Sequence, residues 1–320
     1  MRVSVVIPAR DAEATLGATL DALAAQELAE PFEVLVVDDG SVDATPALVE
    51  RHPVGARLVS GTGEGPGAAR NVGVLASSGS VLAFTDADCV PAPGWLRAGL
   101  EALERTGAGI VQGAVAPVGP AGRFDRTLWV PSEYGVYETA NLFLRREWFD
   151  RVGGFVDWVN RPWRPAGPPS GPQAHFGEDA LLAWRAKRLG AVSAFAADAR
   201  VGHAVFAGRA RTHVAIRRRD GLFAELAVLI PELRERMFFG RIFLSRRSAT
   251  FDLAAAGALA ALAARRPAPA LVGLPYVWLI GRETRRHGGR AHMAAALVAG
   301  DAVGAWSLLR TSLRARTLLL

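Results

Sequence analysis

The chain has 320 residues, of which 50% are hydrophobic and 21% charged, and its formal net charge is +6. This composition excludes a disordered chain, and the length suits one large domain or one domain with a sizeable extension. A basic balance favours nucleic acid, an anionic membrane surface or a phosphorylated substrate as partner. Because no aromatic-basic recognition module appears, no nucleic acid is expected. A single cysteine, Cys89, excludes an intrachain disulfide, and we expect a small buried residue there.

Short apolar runs alternate with helical patterns through the first two thirds of the chain. Strands are predicted at 3–7, 33–37, 57–60, 81–84 and 109–115, with a further strand around 139–146. Helices are predicted between the strands, among them 96–106, 147–152 and one from 177 to 190. The alternation predicts an α/β fold with a Rossmann-like, mostly parallel sheet flanked by helices.

An Asp-x-Asp pair, Asp86 and Asp88, follows the apolar strand predicted at 81–84. Open α/β sheets bind ligands just beyond the carboxyl ends of their strands. On an extended chain, residues two apart point the same way, so we expect both carboxylates to converge on one spot. That spot would suit a divalent cation that holds phosphate oxygens. A pair of turn or N-cap aspartates before a helix near Pro93 is the alternative.

The glycine-rich stretch at 63–68 matches a dinucleotide-binding fingerprint, but it stands in the wrong place. That fingerprint belongs in the first strand-to-helix turn, and the turn at 8–11 contains no glycine. We therefore do not expect a nicotinamide-dependent dehydrogenase. A glycine-rich helix start before Arg70 still suits the approach of a phosphate group.

Five short motifs, in this order, resemble those of the family 2 glycosyltransferases. They lie at 5–10, 36–45, 67–73, 84–88 and 177–179 and read VVIPAR, VVDDGSVDAT, GAARNVG, FTDAD and GED. The resemblance spans roughly residues 1 to 205. It implies the GT-A fold, with a nucleotide-sugar-binding domain, a divalent metal ion and inversion at the anomeric carbon.

The resemblance implies roles for the residues that would hold the donor. Asp39 matches the family's carboxylate that accepts a hydrogen bond from the nucleotide base, and the backbone of Pro8 and Ala9 would contact the same base. Arg70 would lie near the diphosphate. Asp86, the first acid of the metal motif, would lie near the ribose.

The resemblance also implies the metal ligands and the general base. Asp88 would bind Mg²⁺ or Mn²⁺, with Asp86 beside it, and His203 is a candidate third partner, although a histidine after a strand is more often structural. Asp179 stands where the family keeps its general base, with Glu178 as the neighbouring alternative. A metal between the diphosphate oxygens would neutralise the leaving charge, and one carboxylate would take the acceptor proton.

The predicted function is transfer of a hexose from a UDP-, GDP- or dTDP-sugar to an acceptor hydroxyl on a glycan or lipid-linked cell-envelope molecule. Two alternatives stay open. A nucleotidyltransferase acting on a sugar phosphate can share the sheet and the metal acids. A non-catalytic nucleotide-sugar-binding protein is disfavoured by the intact acids Asp39, Asp86, Asp88 and Asp179. The stretch at 156–176, rich in proline and tryptophan, is predicted to be a substrate loop.

The last third of the chain differs in composition from the rest, so we predict a GT-A domain at 1–220 and a helical region at 221–320. Its apolar runs, 253–264 and 268–281, are shorter than the roughly 20 residues that a spanning helix needs. We expect them to lie as a hairpin on the inner face of the cell membrane, with Trp278 at the headgroups. Packing as a soluble subdomain is the alternative.

A cytoplasmic location agrees with the amino-terminal apolar run, which ends at Pro8. That is too early for the apolar region of a signal peptide.

Overall fold

The computed structural model describes residues 2–161 and 175–320. Most of the predicted substrate loop, including Trp163, lies outside the described residues. By its internal contacts the described chain forms two compact units. The first takes residues 2–120, 127–161 and 175–205, and the second takes 121–126 and 206–320. The domain boundary expected near residue 220 stays a prediction.

The first unit is an α/β unit built on one sheet. Its strands are β1 Val3–Ala9, β2 Phe32–Asp38, β3 Arg57–Ser60, β4 Val81–Phe84, β5 Cys89–Pro91, β6 Ile110–Pro117, β7 Leu142–Arg145 and β8 Ser193–His203. Its helices are α1 Leu16–Ala24, α2 Thr45–Arg51, α3 Pro66–Ala76, α4 Trp95–Thr106, α5 Arg146–Val152 and α6 Glu178–Arg188, with a 3₁₀ turn at Thr139–Asn141.

The described strands form one mixed sheet in the order β3-β2-β1-β4-β7-β6-β8-β5. Strands β1 to β4 are parallel to one another, and β6 is parallel to β8. Strand β7 runs antiparallel between β4 and β6, and β5 pairs antiparallel with the end of β8 at the edge of the sheet. The α/β prediction is confirmed, and the antiparallel strand β7 joins the two parallel parts of the sheet.

The sheet is covered on both faces, as near-continuous apolar strands require. Every residue of β4 is fully buried, and α1 contributes Leu16, Leu20 and Leu23 to the core. Helix α3 packs directly on the sheet at Gly73, where an added Cβ would lie 2.5 Å from Val6. The carboxyl ends of the parallel strands therefore remain the open edge at which polar side chains collect.

The second unit is helical. Its helices are α7 Ala210–Ile216, α8 Gly221–Leu229, α9 Leu233–Arg236, α10 Arg246–Ala264, α11 Leu274–Arg286 and α12 Ala291–Arg314, with 3₁₀ turns at Arg217–Asp220 and Ala268–Gly273. A capping box between Ser245 and Ser248 begins α10. Gly257 then lets α10 pack against the 3₁₀ turn that leads to α11, since a Cβ there would lie 2.6 Å from the Pro269 carbonyl oxygen.

A buried ion pair holds the second unit together. Asp301, in the middle of α12, is 5% exposed and accepts two hydrogen bonds from Arg247 Nε, at 2.8 and 3.0 Å, and one from Arg247 Nη2 at 2.8 Å. The Tyr276 hydroxyl donates to the same carboxylate at 2.6 Å. Gly300 and Gly304 flank Asp301, and the side chains of α7 and the following 3₁₀ turn lie against both glycines.

Among the described helices, Ala291–Arg314 passes a length and composition test for a membrane-spanning helix, with a mean hydropathy of 1.3. This helix also carries the Asp301–Arg247 pair. A buried acid with a two-pronged arginine partner is a packing contact within the unit, because a carboxylate facing lipid would be costly.

Candidate active site

Residues after β1 and β2 meet at the open edge of the sheet. The Asp39 N–H donates to the Ala9 carbonyl at 2.8 Å, which joins the two strand ends. The Asp39 carboxylate is 3% exposed and accepts from the N–H groups of Gly63 and Gly65, each at 2.8 Å. Asp39 therefore holds the glycine-rich stretch against the first strand pair.

This contact changes the interpretation of the glycine-rich stretch. The two N–H groups that a phosphate could use, at Gly63 and Gly65, already donate to Asp39. Gly65 has a φ of +98°, and the ring of His175 lies where its Cβ would be. Glycine is required there by backbone conformation and by the close approach of His175.

Arg70 lies between two acids. Its Nη2 donates to Asp86 Oδ1 at 2.7 Å, and its Nη1 lies 3.9 Å from Glu178 Oε1. Arg70 is 4% exposed, and its guanidinium stacks on Phe155 with 5.7 Å to the ring centroid. The family resemblance assigns Arg70 to the neighbourhood of the diphosphate. In the structure Arg70 links the Asp-x-Asp turn to the start of α6.

Asp86 and Asp88 do not extend β4. The strand ends at Phe84, and Ala87 and Asp88 lie in a turn. The two residues are therefore not held side by side by an extended strand, and the convergence of their carboxylates on one metal ion stays a prediction. Asp86 turns to Arg70, whereas Asp88 turns to His203, whose Nε2 lies 3.6 Å from Asp88 Oδ2.

The pairing of β5 with β8 brings His203 to the Asp-x-Asp turn. Cys89 and His203 are direct partners in this antiparallel pair, and the Ala204 N–H donates to the Asp88 carbonyl at 2.9 Å. His203 Nδ1 lies 2.8 Å from the Ala204 carbonyl oxygen. Because a carbonyl only accepts, Nδ1 carries the proton in this bond, and Nε2 is the nitrogen that can bind a metal.

The ligand atoms of Asp88, Cys89 and His203 lie within 4.8 Å of one another. Burial, together with Asp86 and Asp88, raises the pKa of the Cys89 thiol, so the sulfur is a neutral, weak ligand. A carboxylate beside an imidazole is a donor pair that a divalent cation accepts. This part of the site fits a metal ion through Asp88 and His203.

Acidic side chains also gather at the start of α6. Burial, followed by Glu178 and Glu138, raises the pKa of Asp179 well above the ordinary value. The Asp179 carboxylate accepts from the Ala180 N–H at 2.8 Å. Burial also raises the pKa of Glu138, which accepts a short hydrogen bond from the Tyr134 hydroxyl. Asp179, Glu178 and Glu138 together favour a carboxyl group at this position that is either protonated or able to accept a proton.

Sequence reasoning missed Glu138 and Tyr134. Their spacing of four residues, a hydroxyl and an acid, is repeated nearby by Glu133 and Tyr137, so it carried no specific signal. Their proximity to Asp179 was not visible, because the residues before β7 are distant from α6 in the sequence. The structure brings Ala9 to Asp39, Arg70 to Asp86 and Glu178, and Asp88 to His203.

Solved structures share this architecture. The mannosyltransferase PcManGT from Pyrobaculum calidifontis, in complex with GDP-Man and Mn²⁺, superposes with a TM-score of 0.64 at 22% identity, over 95% of this chain and 87% of that one. Staphylococcus aureus TarS 1–349, in complex with UDP-GlcNAc, superposes with a TM-score of 0.54 at 17% identity, over 99% of this chain and 93% of that one. At these identities the likeness establishes the GT-A fold.

Sequence relatives identify the family. The family described as Glycosyl transferase family 2 matches residues 4–156. Glycosyltransferase AglE from Haloferax volcanii is 30% identical over 236 residues, which is 61% of this chain and 78% of that protein. The succinoglycan biosynthesis protein ExoO from Rhizobium meliloti is 39% identical over 110 residues, 34% of this chain and 31% of that protein. The chain therefore belongs to glycosyltransferase family 2.

Proposed function

We propose that this protein transfers a hexose from a nucleoside diphosphate sugar to an acceptor hydroxyl, with inversion at the anomeric carbon. The observation that carries the proposal is the partly buried Asp179 carboxylate at the start of α6, whose pKa is raised in a family 2 glycosyltransferase chain that also pairs Asp88 with His203. One proton acceptor and one metal-binding pair are what a single inverting displacement needs.

The donor nucleotide would lie at the ends of β1 and β2. The Pro8 and Ala9 backbone and Asp39 line this edge, and Asp39 is fixed by the glycine N–H groups. A carboxylate oxygen can accept more than one hydrogen bond, so Asp39 keeps the capacity to accept from a base N–H. The two structural neighbours contain GDP-Man and UDP-GlcNAc, and UDP-, GDP- and dTDP-sugars are the candidate donors here.

Asp88 and His203 would hold Mn²⁺ or Mg²⁺, with Asp86 on the neighbouring side of the turn. The ion, when bound, neutralises the charge of the leaving diphosphate. An imidazole ligand favours Mn²⁺ over Mg²⁺, which prefers oxygen ligands. Arg70 keeps the turn in place through Asp86, and its positive charge lowers the cost of gathering phosphate near these acids.

Asp179 would accept the proton of the acceptor hydroxyl. A carboxylate with a raised pKa is a stronger base than an ordinary aspartate. Glu178 is less suited to this role, because it faces Arg70 at 3.9 Å. Glu138 would support Asp179 by keeping negative charge nearby, with Tyr134 holding Glu138 in position.

Family membership favours glycosyl transfer over the two alternatives. A nucleotidyltransferase would release inorganic diphosphate from a nucleoside triphosphate, and a non-catalytic binder would release no product. A thermal-shift screen of UDP-, GDP- and dTDP-sugars with and without Mn²⁺ tests the proposal, because ligands of the folded state stabilise it by about 2.7 kcal/mol at a hundred times their Kd. Chromatography of the products should then show a nucleoside diphosphate. Absence of any Mn²⁺-dependent shift contradicts the proposal.

We place the protein on the inner face of the cell membrane, where a lipid-linked or cell-envelope acceptor would be available. An apolar hairpin face, formed by α10, the following 3₁₀ turn and α11, supports this location. Each of its large apolar side chains is 59% to 78% exposed: Leu259, Leu262, Leu271, Leu274, Val277 and Trp278. Large apolar side chains exposed on elements that pack against each other are typical of an interaction site.

The charges around the apolar hairpin face indicate the kind of partner. Arg265 and Arg266 are exposed at the turn of the hairpin, and Arg285 and Arg286 are exposed at the end of α11. Arg282 lies over the Trp278 ring at 5.3 Å. Arginines around an apolar face with a tryptophan match an anionic bilayer surface, where each basic residue contributes about 1 kcal/mol.

A further inference from the structure

Tyr137 has an unusual backbone conformation next to the candidate active site. Its φ is +58°, and the residue is 1% exposed. In the described part of the chain, the other non-glycine residues with a positive φ are all exposed. A bulky residue in the left-handed region is strained, so contacts of its side chain must hold it there.

Two side chains contact the Tyr137 hydroxyl, and a third completes the network. The hydroxyl donates to Glu133 Oε1 at 2.6 Å and lies 3.0 Å from the Oγ of Ser193, the first residue of β8. Ser193 Oγ accepts from Lys187 Nζ at 2.6 Å and donates to Glu133 Oε2 at 3.2 Å. Lys187 and Glu133 therefore meet at Ser193 with opposite charges, and the hydroxyl has a fixed position.

The segment around Tyr137 is also fastened to α6. Trp184 Nε1 donates to the Gly135 carbonyl at 2.8 Å, and the rings of Tyr137 and Trp184 pack edge to face with 6.3 Å between their centroids. Lys187 Nζ lies over both rings. These contacts join the segment to the helix whose first turn carries Asp179.

Glu138 follows Tyr137 directly, and its negative charge acts on Asp179. The Glu138 carboxylate accepts a short hydrogen bond from the Tyr134 hydroxyl, and the Glu138 carbonyl accepts from Gln112 Nε2 at 3.3 Å. The carbonyl bond fixes the backbone after Glu138, whereas the anchored side chain of Tyr137 fixes the backbone before it. Tyr137 therefore sets the direction in which the chain enters Glu138.

We propose that Tyr137 is a positioning residue, which holds the Glu138 carboxylate beside the general base Asp179. The inference rests on the base role proposed for Asp179 and adds the residue that arranges its electrostatic surroundings. The strained conformation of Tyr137 is then kept because it places two successive side chains at different partners. Tyr137 touches no reacting atom and acts through Glu138.

Four groups face Asp179 from the elements packed around it. Glu178 precedes it on α6, Arg70 comes from α3, and Glu138 and Tyr134 come from the segment before β7. Burial raises the pKa of Asp179 most, Glu178 and Glu138 raise it further, and Arg70 lowers it. A displaced Glu138 should therefore lower the pKa of Asp179 and leave the other contributions in place.

The test measures the pKa of Asp179 in the full chain without any substrate. Aspartate carboxyl carbons are labelled with ¹³C, the Asp179 resonance is assigned with Asp179→Asn, and its chemical shift is followed against pH. We expect Glu138→Gln to lower this pKa and Tyr137→Phe to lower it by a smaller amount. The double variant should match Glu138→Gln alone, because Tyr137 acts through Glu138. Ser193→Ala, which removes the other partner of the hydroxyl, should repeat the Tyr137→Phe result.

Tyr276→Phe is the matched control. The Tyr276 hydroxyl also donates to a carboxylate at 2.6 Å, that of Asp301 in the second unit. Both tyrosine variants should lower the melting temperature by similar amounts, since each loses one hydrogen bond to a carboxylate. The pKa of Asp179 should change only in Tyr137→Phe. In assays of sugar transfer, the acidic limb of kcat should move to lower pH in Tyr137→Phe and stay in place in Tyr276→Phe.

Two results would overturn the inference. The pKa of Asp179 could stay unchanged in both Tyr137→Phe and Ser193→Ala, or Tyr137→Phe could lower it equally with and without the Glu138 carboxylate. Failure of the proposed function looks different, because the wild type would then transfer no sugar while the NMR titration still reports the pKa of Asp179.

Discussion

The two units of the molecule differ in where the Asp-x-Asp acids, the Asp301 carboxylate and the large apolar side chains lie. In the first unit the leucines of α1 are buried, and the side chains of Asp86 and Asp88 are each 29% exposed at the open edge of the sheet. In the second unit Asp301 is 5% exposed, whereas Leu262 and Trp278 are 78% and 60% exposed.

The carboxylates of the two units have different surroundings. Carboxylates in the first unit crowd together at the start of α6, where burial raises the pKa of Asp179 and the nearby Glu178 and Glu138 raise it further. In the second unit the Asp301 carboxylate has Arg247 and Tyr276 as hydrogen-bond donors, so it joins helices. We propose that carboxylates of the first unit bind ligands, whereas Asp301 of the second unit packs helices together.

The largest effect is expected at Asp179. Asp179→Asn removes the proton acceptor, so turnover should fall on the order of 10² to 10⁴ while donor affinity stays nearly unchanged. Because the substitution relieves repulsion with Glu178 and Glu138, the melting temperature should stay level or rise. Steady-state kinetics and calorimetry measure both quantities. Glu178→Gln is the control for base assignment, and a fully active Asp179→Asn variant with an inactive Glu178→Gln variant would give the role to Glu178.

The same kind of substitution in the second unit should have the opposite effect on stability. Asp301→Asn leaves the mostly buried guanidinium of Arg247 without its anion, so the free energy of unfolding should fall by about 3 kcal/mol, at the low end for a buried pair because the Arg247 side chain is 20% exposed. Denaturant unfolding followed by fluorescence measures this loss. Asp198→Asn is the control, because Asp198 pairs with Arg200 at the surface with 87% of its side chain exposed. Equal loss in both variants would contradict the comparison between the units.

If Asp88 binds the metal ion, its substitution should affect ligand binding without unfolding the protein, unlike substitution of Asp301. Asp88→Asn should weaken Mn²⁺-dependent nucleoside diphosphate binding by at least about 100-fold, and His203→Ala by about tenfold, without unfolding either variant. Isothermal titration with and without Mn²⁺ measures the effect. Unchanged Mn²⁺-dependent binding in Asp88→Asn would show that another group holds the ion.

The apolar hairpin face can be tested with an exposed leucine from each unit. Leu262→Glu should reduce binding to anionic liposomes about tenfold or more, since burying one leucine is worth about 1.5–3 kcal/mol. Leu75→Glu on α3, where Leu75 is 86% exposed, should leave binding unchanged. Flotation at low and high salt measures the fraction bound. Wild-type protein that stays unbound at low salt contradicts the membrane location.

The smallest effect is a displacement of the pH profile. Asp179 has to be ionised to accept a proton, so kcat should fall as the pH drops through its raised pKa, at a higher pH than for an ordinary aspartate. Glu138→Gln removes one source of negative charge and should move this limb to lower pH. A limb that does not move would show that Glu138 has no influence on the base.

Local sequence patterns were enough to predict strands β1 to β4, which form one parallel part of the sheet. Strands β3 and β4 have the predicted bounds, and β1 and β2 extend the predicted runs by one or two residues at their ends. Continuous apolar runs bounded by glycine, proline or aspartate are a local signal, so they can be read without knowing the fold. The family motifs likewise named Asp39 and Asp88, which follow β2 and β4, and Arg70 and Asp179, which lie in α3 and α6.

The pairing of these residues depends on the tertiary structure and could not be predicted from the sequence. The turn after β4 sends Asp86 to Arg70 and Asp88 to His203, because the strand stops at Phe84 and β8 brings His203 across from Cys89. The contribution of Glu138 to the pKa of Asp179 and the bond between Arg247 and Asp301 join residues that are 41 and 54 positions apart. Composition, periodicity and spacing describe neighbours along the chain, whereas these partners are set by which strands and helices pack together.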